Sequence, residues 1–276
     1  DLDRLGAEHN AFTSKEMTGF WVKAADKYFD EGLDIVSDIL IQPLFKEDEL
    51  EKEKNVIIQE ISMYEDMPQR KIFEVWDELL YPNQPAGRSI AGTKKIINSI
   101  TRRDILNYRK KHYVSENIVV IVAGNFDPIS VYKKVEKIFK RIPRGKPSSK
   151  KSVIETQKSP IIKIANKETD QTHIILGTRS FGFFDERKYA LGLLSVILGG
   201  NTSSRLFSEI REKSGLAYYV SAMSEQLTDS GYTIARAGIP LNSLKTTCKK
   251  IVKIMSDFRA KEINEKELKF AKDYLR

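Results

Sequence analysis

Apolar and polar positions alternate along the chain in short blocks that divide it into helices and strands. Residues 10–24 alternate loosely and are rich in Phe, Trp, Thr and Val, which predicts a strand. Over residues 29–41, Leu33, Val36, Ile39 and Leu40 fall at helical spacing, and Pro43 ends the helix. Helices are also predicted over 47–64, 71–80, 102–112 with Thr101 as N-cap, and 128–140. The stretch 117–123, apolar from Ile118 on, has strand length and meets a Gly124-Asn125 turn, so it predicts a buried strand. Beyond residue 160 the pattern gives strand material over 161–176 and helices over 186–198 and 203–213. A strand pair over 216–223 and 231–238 follows, then helices over 244–258 and 265–275.

Between these blocks the composition changes once. Residues 141–160 hold three prolines, several serines and many lysines without periodicity, as a linker does. The expected organisation is therefore a first domain over 1–145, a linker over 146–160 and a second domain over 161–276. The two halves echo each other. Gly19-Phe20-Trp21-Val22-Lys23-Ala24 precedes a helix and then Glu47-Asp48-Glu49-Leu50. Gly231-Tyr232-Thr233-Ile234-Ala235-Arg236 precedes a helix and then Asn264-Glu265-Lys266-Glu267-Leu268. The same order at matching separation predicts a duplicated domain. The expected fold class is α+β, with an antiparallel-rich sheet packed against helices in each domain.

Composition narrows the function. A chain of 276 residues with 41% apolar and 30% charged residues can bury a core. No run approaches the ~18 apolar residues of a membrane helix. The net charge of +8 comes from basic residues spread along the chain, with local clusters at 140–151 and 249–253 that are not interleaved with aromatics. That argues against a nucleic-acid partner. A single cysteine, Cys248, excludes an internal disulfide and a cysteine-rich zinc module. His9, His112 and His173 are too scattered to form a local metal motif; His9 reads as a strand side chain, His112 as a capping or core histidine, and Trp21 and Trp76 as core. The compartment stays open, with the cytoplasm as the expectation.

The helix beginning Glu51-Lys52-Glu53-Lys54-Asn55-Val56-Ile57-Ile58-Gln59-Glu60-Ile61 is the most informative. Ile57, Ile61 and Tyr64 form an apolar stripe. Glu53 and Glu60, two turns apart, share a face that overlaps it. Carboxylates there are expected to be paired or bound to a metal. From the residues alone, the favoured reading is that each Glu either pairs with a neighbouring Lys or Arg or sits at the edge of the stripe.

Glu53 to Ile61, with Tyr64-Glu65-Asp66 and Pro68 after it, resembles the downstream zinc-ligand segment of the insulinase–pitrilysin–processing peptidase family. Leu5-Gly6-Ala7-Glu8-His9-Asn10-Ala11-Phe12-Thr13 is similar to that family's strand that pairs with extended substrate. Gly87-Arg88-Ser89-Ile90-Ala91-Gly92-Thr93, and His112-Tyr113 through Asn117 to Gly124-Asn125, resemble its first-domain core. Ser204-Arg205-Leu206-Phe207 through Arg211 to Gly215-Leu216-Ala217-Tyr218 resembles its Arg…Gly-Leu-Ala-Tyr motif. The similarity spans nearly the whole chain. It implies a zinc metalloendopeptidase acting on extended peptides or unfolded segments, with one Zn2+. Glu60 would be a zinc ligand and Glu53 a supporting acid. Asn10, Ala11 and Phe12 would bind substrate, and Arg211 and Tyr218 would contact substrate or the tetrahedral intermediate.

One departure is large. The family's His-x-x-Glu-His helix is absent from this sequence; the resemblance places it upstream of Leu5-Gly6. The chain is therefore expected to be a piece of a longer protein, inactive by itself. The whole protein is expected to act as a dimer or paired halves enclosing a chamber. A non-catalytic subunit on the same fold, binding peptides or partners without zinc, is the alternative.

Overall fold

A computed structural model describes residues 2–276. In chain order its elements are β1 (Glu8–Thr13), β2 (Thr18–Lys23), α1 (Phe29–Ile41), α2 (Glu47–Asp66), α3 (Pro68–Leu80), α4 (Lys94–Ser99), α5 (Arg102–His112), α6 (Pro128–Phe139), β3 (Thr172–Ser180), α7 (Lys188–Ser195), β4 (Tyr219–Gln226), β5 (Gly231–Ile239), α8 (Leu244–Ala260) and α9 (Glu265–Leu275). Helices dominate, the sheets are small and antiparallel, and the fold is α+β. Two compact units emerge, one from residues 1–61 and 90–151, the other from 62–89 and 152–276. The segment carrying α3 therefore belongs with the later part of the chain. The chain enters the second unit at Ser62, leaves it after Ser89 and returns to it at Ser152.

In the first unit, β1 and β2 form an antiparallel hairpin with Asn10 opposite Trp21 and Phe12 opposite Gly19. The predicted single strand over 10–24 is thus two strands, because residues 14–17 turn the chain through a Ser14 N–H bond to the Met17 carbonyl. Trp21 is 41% exposed, not core as expected. It alternates with Phe20 and Val22, which face inward, and Val22 lies against Gly32 of α1. The C-terminal end of α1 leaves carbonyls without helical partners. Arg109 donates to the Leu40 and Ile41 carbonyls at 3.1 and 2.6 Å. Arg102 donates to the Phe45 carbonyl at 2.7 Å. Both arginines stand on α5, whose start is fixed by a capping box: the Thr101 hydroxyl accepts from the Asp104 N–H, and the Asp104 carboxylate accepts from the Thr101 N–H. His112 stacks on Tyr108 at 4.4 Å.

The run at 117–123 departs from expectation. It is not a buried strand, and among the described residues no strand pairs with it. A run apolar on both faces is buried only when neighbours cover both its faces. Here Val119 and Ile121 are each 83% exposed.

In the second unit, β5 lies between β3 and β4 in an antiparallel sheet. Successive side chains on β5 point to opposite faces. Ala235, Ala237 and Ile239 enter a core with Ile174, Val220, Ala222, Leu198, Leu206, Ile210, Ile251 and Ile254. Tyr232 and Ile234 enter a second cluster with Trp76, Leu80 and Tyr81, so α3 covers that face. Trp76 meets Tyr232 edge-on at 5.7 Å. A third cluster joins Val196, Ile197 and Ala271 of α9. The order strand, helix, helix occurs in both units: β2, α1, α2 and β5, α8, α9.

Candidate active-site residues in each unit

The first unit carries Glu53 and Glu60. Both stand on α2, along an exposed stripe with Val56. This corrects the expectation that they share a buried face. Ile61 is the buried residue of α2, with Ile57 and Ile58 partly covered, so the inward direction lies to one side of the carboxylates. Exposed carboxylates keep their hydration and need no buried counter-charge. Asn10, Ala11 and Phe12 lie in β1, all exposed, with β2 on one edge only. Among the described residues, the other edge of β1 has no strand partner. It presents main-chain N–H and C=O groups to which an extended peptide can add. On the open face Phe12 lies across Gly19, where a Cβ would come within 2.4 Å of its ring.

The second unit carries Arg211 and Tyr218. Arg211 stands in the last turn of a π-helical segment, Phe207–Glu212, and its guanidinium lies 5.0 Å from the Phe207 ring centroid. The chain then reverses through Gly215, whose φ of 58° is left-handed and favours glycine. The Gly215 N–H donates to the Arg211 carbonyl at 3.1 Å, and the Leu216 N–H to that of Ile210 at 2.9 Å. Ala217 is buried, so its neighbour Tyr218 points outward, 57% exposed. The Tyr218 N–H is fixed to the Gly238 carbonyl at 2.8 Å. Arg211 and Tyr218 thus flank one tight turn, each with donors facing solvent.

Some features of the second unit gave no signal in sequence. Arg205 grips Glu267 of α9 through two bonds of 2.7 and 2.6 Å and stacks over Phe258. The Glu267 carboxylate raises the Arg205 pKa. His173 Nδ1 and the Tyr219 hydroxyl share a 2.9 Å hydrogen bond, and burial lowers the His173 pKa. Burial raises that of Tyr219 against the opposing Arg236 charge. These pairs join elements distant in sequence, so no local pattern marks them. A cleft of about 560 Å³ opens beside Ser203, Arg205, Glu209, Lys250 and Asp257. Neither Arg211 nor Tyr218 lines it.

A protein zinc site takes three or four donors. Among the described residues no group of three His, Cys, Asp or Glu side chains could hold a metal. Glu60 by itself does not make a zinc site.

Residues 99–275 match the family model for the "Peptidase M16 inactive domain" and residues 1–94 that for "Insulinase (Peptidase family M16)". The chain belongs to peptidase family M16. It is 35% identical over its whole length to the Bacillus subtilis protein named "Uncharacterized zinc protease YmxG", and 33% identical to an "Uncharacterized zinc protease" of Rickettsia felis. It spans 66% of each. Its fold matches the crystal structure titled "peptidase M16 inactive domain" from Pseudomonas fluorescens, with a TM-score of 0.91 at 23% identity, over 99% of this chain and 67% of that one. None of the helices among the described residues is long and apolar enough to cross a membrane.

Proposed function

We propose that this M16 chain is part of a zinc-dependent metalloendopeptidase that hydrolyses peptide bonds in extended peptides or unfolded segments. The observation that carries this reading is the similarity, along the whole of this chain and 66% of each relative, to proteins named zinc proteases. The first unit would bind substrate. A peptide adds as a strand to the open edge of β1 at Asn10–Ala11–Phe12, where main-chain bonds give affinity without strict sequence choice. The second unit would supply Arg211 and Tyr218, whose solvent-facing donors suit the negative charge that develops on a scissile carbonyl oxygen.

Glu60 would contribute one carboxylate to a zinc site whose other donors would have to come from beyond these 276 residues, with Glu53 orienting a ligand from behind. Zinc in such a site polarises a carbonyl and lowers the pKa of water. The whole protein would work as a dimer or paired halves around a chamber. The 276-residue chain by itself should retain no zinc and cleave nothing. Metal analysis after dialysis, beside a peptide-cleavage assay, checks this.

A second reading, a non-catalytic subunit that binds peptides or partners, is favoured by one observation: residues 99–275 match a domain described as inactive. The two readings separate in the longer protein. Replacing Glu60 with Gln abolishes cleavage and zinc retention under the first, and changes neither under the second.

A further inference from the structure

Ser62–Ser89 belongs to the second unit, although the chain on both sides of it, up to Ile61 and from Ile90, belongs to the first. This arm is seated by its side chains. Trp76, Leu80 and Tyr81 of α3 are buried against Leu227, Tyr232 and Ile234. The approach is close enough to require glycine on β3: a Cβ on Gly177 would stand 2.9 Å from the Trp76 ring and 2.6 Å from the Thr233 carbonyl oxygen. Polar groups border the apolar contact. The buried Tyr81 and Ser230 hydroxyls share a hydrogen bond of 3.0 Å. The C-terminal end of α3 leaves carbonyls without helical partners, and Arg179 of β3 donates to that of Leu80 at 2.5 Å. The Arg179 guanidinium also lies 5.5 Å from the Tyr81 ring centroid and bonds Glu155.

The returning chain is tied to the arm as well. The Gln84 carboxamide accepts from the Ile154 N–H at 2.7 Å and donates to the Ile154 carbonyl at 3.0 Å, as a neighbouring strand would. The Val153 N–H donates to Asp229 at 2.9 Å, and the Val153 side chain packs on the same apolar cluster as Trp76. An apolar centre with a hydrogen-bonded border is the anatomy of an interface between proteins, and here one chain supplies both sides. We propose that the sheet face of the second unit is a binding surface whose partner is the arm Ser62–Ser89 of the same chain, a clasp that holds without help from the peptide connection at 151–152. A cut between Lys151 and Ser152 leaves the arm on one piece and its seat on the other, and the two pieces stay bound.

Lys151 and Ser152 are both exposed, so a recognition site for a sequence-specific protease can be inserted between them in the 276-residue chain. After cleavage the two pieces should sediment as one particle of the uncut mass and part only in denaturant. Tyr81→Phe leaves the buried Ser230 hydroxyl without its partner, and Arg179→Ala frees the Leu80 carbonyl. Each should lower the urea concentration at which the cut pieces part. Lys134→Ala, which removes an exposed ion pair with Asp30 in the first unit, should leave it unchanged. In the uncut chain the amides of α3 should exchange at the pace of β5, and Tyr81→Phe should speed both together. Pieces that part in native buffer overturn the proposal. So do pieces that part at one urea concentration in the parent, Tyr81→Phe and Arg179→Ala, or an α3 that exchanges as fast as β1 while β5 stays protected.

Discussion

Gly199 and Arg205 lie six residues apart and hold the second unit by opposite means. A Cβ on Gly199 would stand 2.3 Å from the Ala222 backbone nitrogen. No rotamer can relieve a clash with backbone, so Gly199→Ala should destabilise the protein by about 1–3 kcal/mol or more, read as a lower urea midpoint at constant slope. Arg205 is three-quarters covered and bonds Glu267 bidentately. Arg205→Ala leaves a partly covered carboxylate unpaired, and about 1–3 kcal/mol should be lost. Glu267→Gln, which can still accept a hydrogen bond, should cost less. Glu60 belongs to a different class of residue. It is exposed on α2, so Glu60→Gln should leave the unfolding midpoint unchanged while removing the function proposed for it.

Among the elements, α5 is set by its own first turn. The hydrogen bonds from the Thr101 hydroxyl and N–H hold the Asp104 carboxyl below its ordinary range. A carboxyl whose folded pKa is depressed contributes stability above its unfolded pKa and loses it as pH falls through the folded one. Thr101→Ala should therefore lower the melting temperature at neutral pH, and the gap from the parent should narrow in acid. Such local chemistry is legible in sequence. The cap at Thr101 and the limits of α1 followed from residues a few positions apart. What sequence could not give was partnership. The run at 118–123 has the composition of a buried strand, yet burial depends on what lies beside it, and no described strand does. The face of α2 bearing Glu53 and Glu60 was misplaced for the same reason: periodicity shows which residues share a face, not whether another element covers that face. Glu60, Arg211 and Tyr218 were legible only through their motifs, since all three are exposed side chains with no packing signal of their own.

At the level of the whole molecule, apolar burial is unevenly divided. Among the described residues, the buried apolar clusters lie in the second unit, while the first leaves Val119, Ile121, Phe12 and Trp21 open. Local opening free energy follows buried contact density. Amide hydrogen exchange should therefore be slowest in β5 and α8 and markedly faster in β1, β2 and 118–123; equal protection in both units would contradict that division. The proposed chemistry is measured most directly on the longer protein proposed above. It should be purified as parent and as Glu60→Gln, and its bound zinc and its cleavage of an unfolded peptide measured side by side. Zinc-dependent cleavage by the parent is expected, with zinc content and cleavage lost together in Glu60→Gln while the fold persists. A parent that holds no zinc and cleaves nothing, or a Glu60→Gln protein with undiminished zinc and activity, would contradict the proposed chemistry.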